Sequence, residues 1–315
     1  MSKRRRSLLT LSTIGLASAL IWPLVGGMTV AQGQEKPIVI KRAHAGTFRH
    51  AFTKPIFILG LGSDAGAPKY GRGGGITSGR ADSIHIIAIN PVQKKATIVG
   101  IPRDSYVDLA CGGKNKINAG MLSGVQCMVD TVEQMSGGRL KFDYYMAGSF
   151  ESLEKMVNDL GGVTVDVQPG LGSARRVLQD HASRARGIRT GKTLLKGPQA
   201  LAYSRDRHDY GRGDFDRTVH QGQVLVGSLA KARDLVELDP GKTLTFIRSI
   251  FRNCRVDIPL TEAFRLGLMA LQIDPSDVKN TFLDGTTGTT SAGSSVLLFN
   301  PQPLLANVAD DAIIN

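Results

Sequence analysis

Arginines and one glutamine recur at spacings that suit a phosphorylated ligand. Arg205 and Arg207 are followed ten residues later by Arg217 and, after four more, by Gln221. Side chains at positions i and i+4 of a helix share a face, so Arg217 and Gln221 can contact one ligand. The planar guanidinium group binds phosphate bidentately and stays charged at any relevant pH. This set therefore predicts a site for a phosphate or pyrophosphate.

Acidic and basic side chains also flank three predicted strands. Asp64 follows the first strand, Arg80 and Asp82 precede the second, and Arg103 and Asp104 follow the third. If the strands are neighbours, these groups meet at one sheet edge, where ligands commonly bind in α/β folds. Mg²⁺ takes hard oxygen ligands and is often held by one or two carboxylates together with substrate phosphates. The pattern therefore predicts magnesium-assisted chemistry on a phosphorylated substrate.

Other motif matches fail on spacing or context. The segment 187–193 is one residue short of the P-loop spacing and does not follow a strand. Ser152 and Lys155 match S-x-x-K, but the companion elements of the serine acylating enzymes are absent. Arg212-Gly-Asp214 is a tripeptide that arises readily by chance, and the six histidines lack the spacing of zinc ligands. None of these matches predicts a site.

The elements that must position these residues alternate between strands and helices. Residues 55–62 predict a buried strand, and 83–89 with 96–101 predict a central hairpin. Ser149 and Thr261 are expected N-caps, and residues 284–295 read as a loose loop. The chain is therefore expected to fold as an α/β protein. Apolar spacing and a proline at N1 predict helices at 119–137, 149–160, from 198, 216–236, 242–253 and 261–272.

The N-terminus has the pattern of a membrane anchor. Four basic residues precede the uncharged stretch 7–34, which exceeds the roughly 20 residues that a bilayer requires. Basic residues stay cytoplasmic, so the rest of a single-pass cell-membrane protein is expected outside. A signal peptide cut near Ala31 and twin-arginine export are the alternatives. Residues 35–51 then read as a linker, 52–300 as the extracytoplasmic domain and 301–315 as a C-terminal tail.

Charge and cysteine content narrow the possible partners. The formal net charge of +12 calls for an anionic partner, but nucleic acid is not expected outside the cytoplasm. Three cysteines in an oxidising compartment allow one disulfide. Cys111 and Cys127 are 16 residues apart on either side of a loop-to-helix segment, so they are the expected pair. Cys254 follows an apolar stretch and is expected to be buried and inert.

Motifs in this sequence resemble those of the LytR-CpsA-Psr family. The resemblance covers about residues 52 to 300, and the spaced partners of the I-P-R-D motif make it specific. The motifs are Leu59-Gly-Leu-Gly-Ser-Asp64, Gly79-Arg-Ala-Asp82-Ser, Ile101-Pro-Arg-Asp104-Ser-Tyr, Lys116-Ile-Asn118-Ala, Leu160-Gly-Gly-Val163, Tyr203-Ser-Arg-Asp-Arg207 and Asp216-Arg217 with Gln221.

The resemblance implies a central mixed β-sheet flanked by helices, with an apolar cavity for a lipid. It implies a phosphotransferase that moves a glycopolymer from a polyprenyl-pyrophosphate carrier onto peptidoglycan. Asp64 and Asp82 would hold Mg²⁺ or Mn²⁺, and Asp104 would orient or deprotonate the acceptor hydroxyl. His220 stands where the family often has arginine, so a weaker or pH-dependent phosphate contact is expected there. The implied pyrophosphate ligands are Arg80, Arg103, Arg205, Arg207, Arg217 and Gln221.

Two other functions remain open from the sequence. A non-catalytic domain that binds polyprenyl phosphate for regulation would use the same arginines without transferring anything. A lipid pyrophosphate phosphatase would use water as the acceptor. The three possibilities differ in their products, because only the phosphotransferase joins polymer to peptidoglycan.

Overall fold

A computed structural model describes residues 52–65, 75–76, 79–169, 188–239 and 241–314, apart from the side chain at position 243. The predicted anchor and linker, 1–51, lie outside the described residues. Within the part that is described, no helix combines the length and the apolar character needed to span a membrane.

The described chain alternates strands and helices, as the sequence pattern predicts. The strands are β1 (Ile56–Ser63), β2 (Ala81–Asn90), β3 (Lys95–Gly100), β4 (Tyr106–Asp108), β5 (Lys114–Lys116), β6 (Tyr144–Ser149), β7 (Val163–Val167), β8 (Gly191–Leu195), β9 (Cys254–Val256), β10 (Val278–Phe282), β11 (Thr286–Thr289) and β12 (Ser295–Leu298). The helices are α1 (Val125–Met135), α2 (Phe150–Asp159), α3 (Gly197–Arg205), α4 (Asp214–Leu238), α5 (Gly241–Asn253), α6 (Leu260–Ala270) and α7 (Gln302–Asp311), with 3-10 turns at Ile117–Ser123 and Pro275–Asp277.

Six strands form a central mixed sheet in the order β10-β3-β2-β1-β6-β9. Strand β1 pairs antiparallel with β2 and parallel with β6, and β3 pairs antiparallel with β2 and parallel with β10. The carboxyl ends of β1, β3, β6 and β10 therefore meet the amino end of β2 at one edge. This edge collects the charged residues that follow the strands.

Helices cover both faces of this sheet. Ile84, Ile86 and Val99 point to one face, where they pack in a core with α1 and α7. Helices α2, α3 and α4 lie on the other face and share a second core with the β7–β8 hairpin. Helix α4 lies so close to the sheet that a Cβ added at Gly100 of β3 would overlap the side chain of Thr218 on α4.

Several predicted boundaries differ from the structure. Part of the predicted loop at 284–295 is strand, because β11 pairs antiparallel with β12. The predicted tail contains helix α7 instead, whose Leu305 and Val308 are fully buried. The N-cap of α6 is Pro259 rather than Thr261. Ser149 caps α2 as predicted, since its side chain accepts a hydrogen bond from the Ser152 N–H.

The cysteines are arranged as the sequence predicts. Cys111 and Cys127 form a disulfide that ties the loop after β4 to helix α1. Cys254 is free and buried, and burial raises the pKa of its thiol to about 12. A thiol with so high a pKa stays protonated and inert at neutral pH.

Candidate phosphate-binding site

The sheet edge brings together the acidic residues that flank β1 and β2. Asp64 directly follows β1, and its Oδ1 accepts a hydrogen bond of 2.6 Å from the backbone N–H of Arg80. The backbone N–H of Asp64 donates in return to the Arg80 carbonyl at 3.0 Å. Asp64 is thus fixed opposite Arg80, two residues before Asp82. The side chain of Arg80 is exposed.

A β-bulge aims Asp82 at the site. Gly62 pairs with Ser83 but Ser63 pairs with Ala81, so Asp82 is an extra residue in β2. Bulges of this kind redirect a side chain and are frequent beside active sites. Asp82 Oδ1 accepts a hydrogen bond of 2.5 Å from Nη1 of Arg103, which follows β3. The bulge therefore joins the ends of two strands through an ion pair.

The first turn of helix α4 adds a second ion pair, between Asp214 and Arg217. Arg217 Nη2 contacts Asp214 Oδ1, and the two side chains are only 5% and 9% exposed. Asp214 Oδ1 also lies 4.0 Å from Nε of Arg103. Asp82, Arg103, Asp214 and Arg217 thus form a cluster in which the charges alternate.

Asp214 is a site residue that the sequence analysis missed. It lies in the Arg212-Gly-Asp214 tripeptide that was set aside as a chance match. Two signals could have identified it: it precedes Arg217 by three residues, the spacing of side chains on one helix face, and it stands at a helix start. Acidic side chains are favourable there because they complement the helix dipole.

Burial and the neighbouring carboxylates have opposite effects on the pKa values of Arg103 and Arg217. Burial lowers the pKa of Arg217, and the Asp214 carboxylate partly offsets that effect. Burial also disfavours the charged form of Arg103, but the pKa of Arg103 is raised because Asp82, Asp104 and Asp214 together outweigh it. Both guanidinium groups are therefore held charged by neighbouring carboxylates.

The cluster retains unused hydrogen-bond donors. Within the described part of the chain, Nε of Arg103 and Nε of Arg217 are buried and donate no hydrogen bond, whereas Nη2 of Arg217 faces the Asp214 carboxylate. Buried donors of this kind are costly unless a partner completes them. Phosphate oxygens are suitable partners, because guanidinium groups bind them through strong charge-assisted hydrogen bonds. The donor set therefore fits a phosphate or pyrophosphate.

The other predicted pyrophosphate ligands, Gln221, Arg205 and Arg207, differ from one another in their contacts and in their exposure. Gln221 Nε2 donates to the carbonyls of Asp82 and Ser204, at 3.2 and 3.0 Å, so the amide links β2, α3 and α4. The Arg205 guanidinium lies 4.4 Å over the Phe150 ring. Arg207 is exposed, and its Nε lies 3.4 Å from His208. The structure thus places Gln221 as a brace between elements.

Asp104 lies beside the cluster on the chain segment that follows β3. Lys116 Nζ is 3.0 Å from its Oδ1, and the Asp104 carbonyl accepts a hydrogen bond from Leu297 at 2.9 Å. The carboxylate is 21% exposed, so an incoming hydroxyl can reach it from solvent.

An apolar cavity of about 110 Å³ opens between the sheet and the helices beside this cluster. Its floor is formed by Gly60, His85 and Met146, and Leu153 and Leu225 cover it. Asp82, Ser83, Arg205 and Gln221 also line it, so charged groups stand at one part of an otherwise apolar wall. A ligand with an anionic head and a hydrocarbon tail matches this division.

Of the two outcomes expected at His220, a weaker or a pH-dependent phosphate contact, the pH-dependent one is wrong. The ring is buried and stacks on Tyr203, with centroids 4.3 Å apart, and meets the edge of Tyr210 at 4.2 Å. Burial lowers its pKa to about 3, so the ring is neutral at physiological pH. Successive helix positions are about 100° apart, which turns His220 away from the face that Gln221 occupies.

Two carboxylates at the sheet edge fit the donor chemistry of a divalent cation. Asp64 and Asp82 both offer hard oxygens, which Mg²⁺ and Mn²⁺ prefer. In the described ranges, no group of three or more acidic, histidine or cysteine side chains is assembled as a metal site. Any cation held here would therefore complete its shell with other oxygens, such as those of a bound phosphate.

Fold and site together define an α/β protein in which a cluster of buried arginines and carboxylates adjoins an apolar cavity through Asp82. The family model described as the LytR_cpsA_psr family matches residues 28–311. The chain therefore belongs to the LytR-CpsA-Psr family.

Known relatives support this assignment. An Enterococcus faecalis protein named polyisoprenyl-teichoic acid–peptidoglycan teichoic acid transferase TagU is 26% identical over 82% of this chain and 78% of its own length. The Bacillus subtilis relative TagV, which carries the same transferase description, is 30% identical over 68% of this chain, but the match spans only 52% of TagV.

Solved structures show the same fold. The protein gbs0355 from Streptococcus agalactiae superposes with a TM-score of 0.71 at 24% identity, over 84% of this chain and 89% of its own. A structure described as TagT bound to LI-WTA superposes with a TM-score of 0.62 at 24% identity, over 82% and 89% of the two chains.

The first prediction concerns Asp214. Replacing it in Asp214→Ala leaves Arg217 buried without its carboxylate, which should lower the free energy of unfolding by about 3 kcal/mol. Asp216→Ala is the matched control in the same turn, because Asp216 accepts a hydrogen bond from the backbone N–H of the exposed Arg212. The control should lose less than about 1 kcal/mol. Equal losses in urea denaturation would contradict the buried ion pair.

The second prediction concerns His220 and pH. Its folded-state pKa of about 3 lies below the ordinary value of 6.5, so between these values only the unfolded chain binds the proton. The contribution of His220 to the free energy of unfolding is therefore fully present above pH 6.5. It declines by about 1.4 kcal/mol per pH unit as the pH falls toward 3. His220→Leu should remove this contribution between pH 6 and 4, whereas the exposed His208→Leu should not. Denaturation curves with the same pH dependence in all three proteins would refute the burial of His220.

Proposed function

We propose that this protein is a phosphotransferase that moves a glycopolymer from a polyprenyl-pyrophosphate carrier onto peptidoglycan and forms a phosphodiester. The observation that carries the proposal is that Asp82, which is paired with Arg103 in the charged cluster, lines an apolar cavity together with Arg205. The names of the relatives, which describe transfer of teichoic acid from a polyisoprenyl carrier to peptidoglycan, support it.

Charge neutralisation is the main contribution of the arginines to this reaction. Phosphoryl transfer depends mostly on positioning and on electrostatic stabilisation, because charge spreads over the phosphate oxygens as the bond to the leaving group breaks. Among the described residues, Arg103 and Arg217 each keep a buried Nε that donates no hydrogen bond, and Arg205 lines the cavity wall. These three residues bind the pyrophosphate, while the exposed Arg80 and Arg207 extend the positive rim.

Asp104 acts on the acceptor. The acceptor hydroxyl attacks the phosphorus nearest the polymer, the bond to the lipid phosphate breaks, and polyprenyl phosphate leaves. Asp104 is exposed enough to meet the hydroxyl and takes its proton, while Lys116 orients the carboxylate at 3.0 Å. Mg²⁺ or Mn²⁺ held by Asp64 and Asp82 would supply further neutralisation of the leaving phosphate.

The proposed location follows from the N-terminal sequence. Residues 3–6 are basic and 7–34 are uncharged, which suits a single-pass anchor in the cell membrane with the catalytic domain outside. The disulfide between Cys111 and Cys127 fits an oxidising compartment. In that location both the lipid carrier and the peptidoglycan are within reach.

The function is tested by incubating the purified protein with a polyprenyl-pyrophosphate-linked glycopolymer and peptidoglycan fragments. We expect polymer joined to peptidoglycan, with one polyprenyl phosphate released per bond formed. Polymer phosphate released without attachment would make the protein a phosphatase. Retention of the lipid without turnover, with Mg²⁺ present, would make it a binding or regulatory domain.

The third prediction tests the cavity. A Cβ at Gly60 would lie 3.6 Å from its nearest neighbours, which is ordinary contact, so Gly60→Ala should be tolerated. Gly60→Leu should extend into the cavity and lower kcat/KM for a long-chain donor by at least about tenfold. Binding of inorganic pyrophosphate should not change, because Gly60 lies outside the arginine cluster. Equal activity of both variants on the long-chain donor would place the lipid tail elsewhere.

A further inference from the structure

Ser83 shares the cavity wall with Asp82, although successive residues of a regular strand face opposite sides. The bulge in β2 explains this, since Asp82 is the extra residue between the Ser63–Ala81 and Gly62–Ser83 pairs. Gly62 leaves room for the Ser83 side chain, because a Cβ at position 62 would be 2.8 Å from Ser83 Cβ. The bulge therefore places a hydroxyl beside the carboxylate.

His85 fixes the direction of the Ser83 hydroxyl. His85 Nε2 lies 3.3 Å from the carbonyl oxygen of Thr218, and a carbonyl can only accept, so Nε2 carries the proton. In the neutral ring, Nδ1 is then an acceptor, and it lies 3.1 Å from Ser83 Oγ. The Ser83 hydroxyl must therefore be the donor of the hydrogen bond to His85 Nδ1. The lone pairs of Oγ are left for another partner.

A phosphate oxygen is a poor partner for the Ser83 hydroxyl. An ionised phosphate oxygen accepts hydrogen bonds, and the only hydrogen that Ser83 Oγ can donate is already bonded to His85. A cation suits the lone pairs. Asp82 makes its ion pair with Arg103 through Oδ1, and within the described residues its other carboxylate oxygen has no hydrogen-bond or ion-pair partner. Serine and threonine hydroxyls serve as Mg²⁺ ligands in P-loop proteins, so the chemistry has a precedent.

We propose that Ser83 Oγ is a third protein ligand of the divalent cation held by Asp64 and Asp82, and that His85 is a positioning residue that aims its lone pairs. The inference rests on the cation site of the proposed function and deepens it. It also accounts for a serine–histidine pair that the phosphate chemistry leaves unused.

The test is a metal-binding titration that does not depend on turnover. The full-length protein is titrated with Mg²⁺ by calorimetry, with inorganic pyrophosphate present. Ser83→Ala should weaken binding by at least about tenfold, and Ser83→Thr, which keeps the hydroxyl, should preserve it. His85→Leu should give a smaller loss than Ser83→Ala, because the hydroxyl is then free to turn.

A change of metal preference provides the second readout. A thiol is a soft ligand, so Ser83→Cys should bind Mg²⁺ more weakly and Cd²⁺ more tightly than the wild type. Adding Asp82→Ala should remove the gain in Cd²⁺ affinity, which shows that both residues serve one ion. A Cd²⁺ gain that survives this change would mean that the thiol binds alone, and the inference would fail.

The Asp82→Ala single variant separates this inference from the proposed function. If Asp82→Ala loses Mg²⁺ while Ser83→Ala binds it normally, Ser83 is not a ligand and the cation site stands. If neither variant changes the Mg²⁺ affinity, Asp82 and Ser83 do not bind the cation. The cation site of the proposed function and the Ser83 ligand are then both wrong. Circular dichroism of each variant verifies that the domain is folded.

Discussion

The burial of Arg217 is the constraint on which the rest of the site depends. A guanidinium group that is 5% exposed is tolerated only where carboxylates compensate its charge. Asp214 does so directly, and Arg103 and Asp82 continue the alternation of charge. Helix α4 must therefore meet the sheet edge at one register, and the close contact at Gly100 and the Gln221 brace keep it there.

The same arrangement separates charge from hydrocarbon. One wall of the cavity is built from glycines and apolar side chains of β1, β6 and α2, whereas Asp82, Arg205 and Gln221 line another part of it. The lipid and the pyrophosphate of one donor would thus meet different surroundings a few ångströms apart. The rigid sheet edge places Asp104 on the solvent side of the cluster, where an acceptor can approach.

The sequence predicted the sheet edge well because strand ends are marked by their composition. Apolar runs that end before Asp64 and Arg103, and one that begins after Asp82, identify the charged edge without any knowledge of pairing. Asp214 was missed because the arginine spacing predicts only a ligand for Arg217, whereas in the structure Arg217 is also paired with Asp214. His220 was misplaced because adjacent helix positions face different sides, and the Tyr203 and Tyr210 rings that bury it come from distant or irregular chain segments. The β11–β12 hairpin was missed because threonine and glycine content resembles a loop until the two strands pair.

The most direct test of the account is a crystal structure of the protein bound to a polyprenyl pyrophosphate. We expect the pyrophosphate to contact Arg103, Arg205 and Arg217 and the hydrocarbon tail to enter the cavity over Gly60. A pyrophosphate bound away from these arginines, or a tail lying outside the space between the sheet and helices α2 to α4, would contradict it.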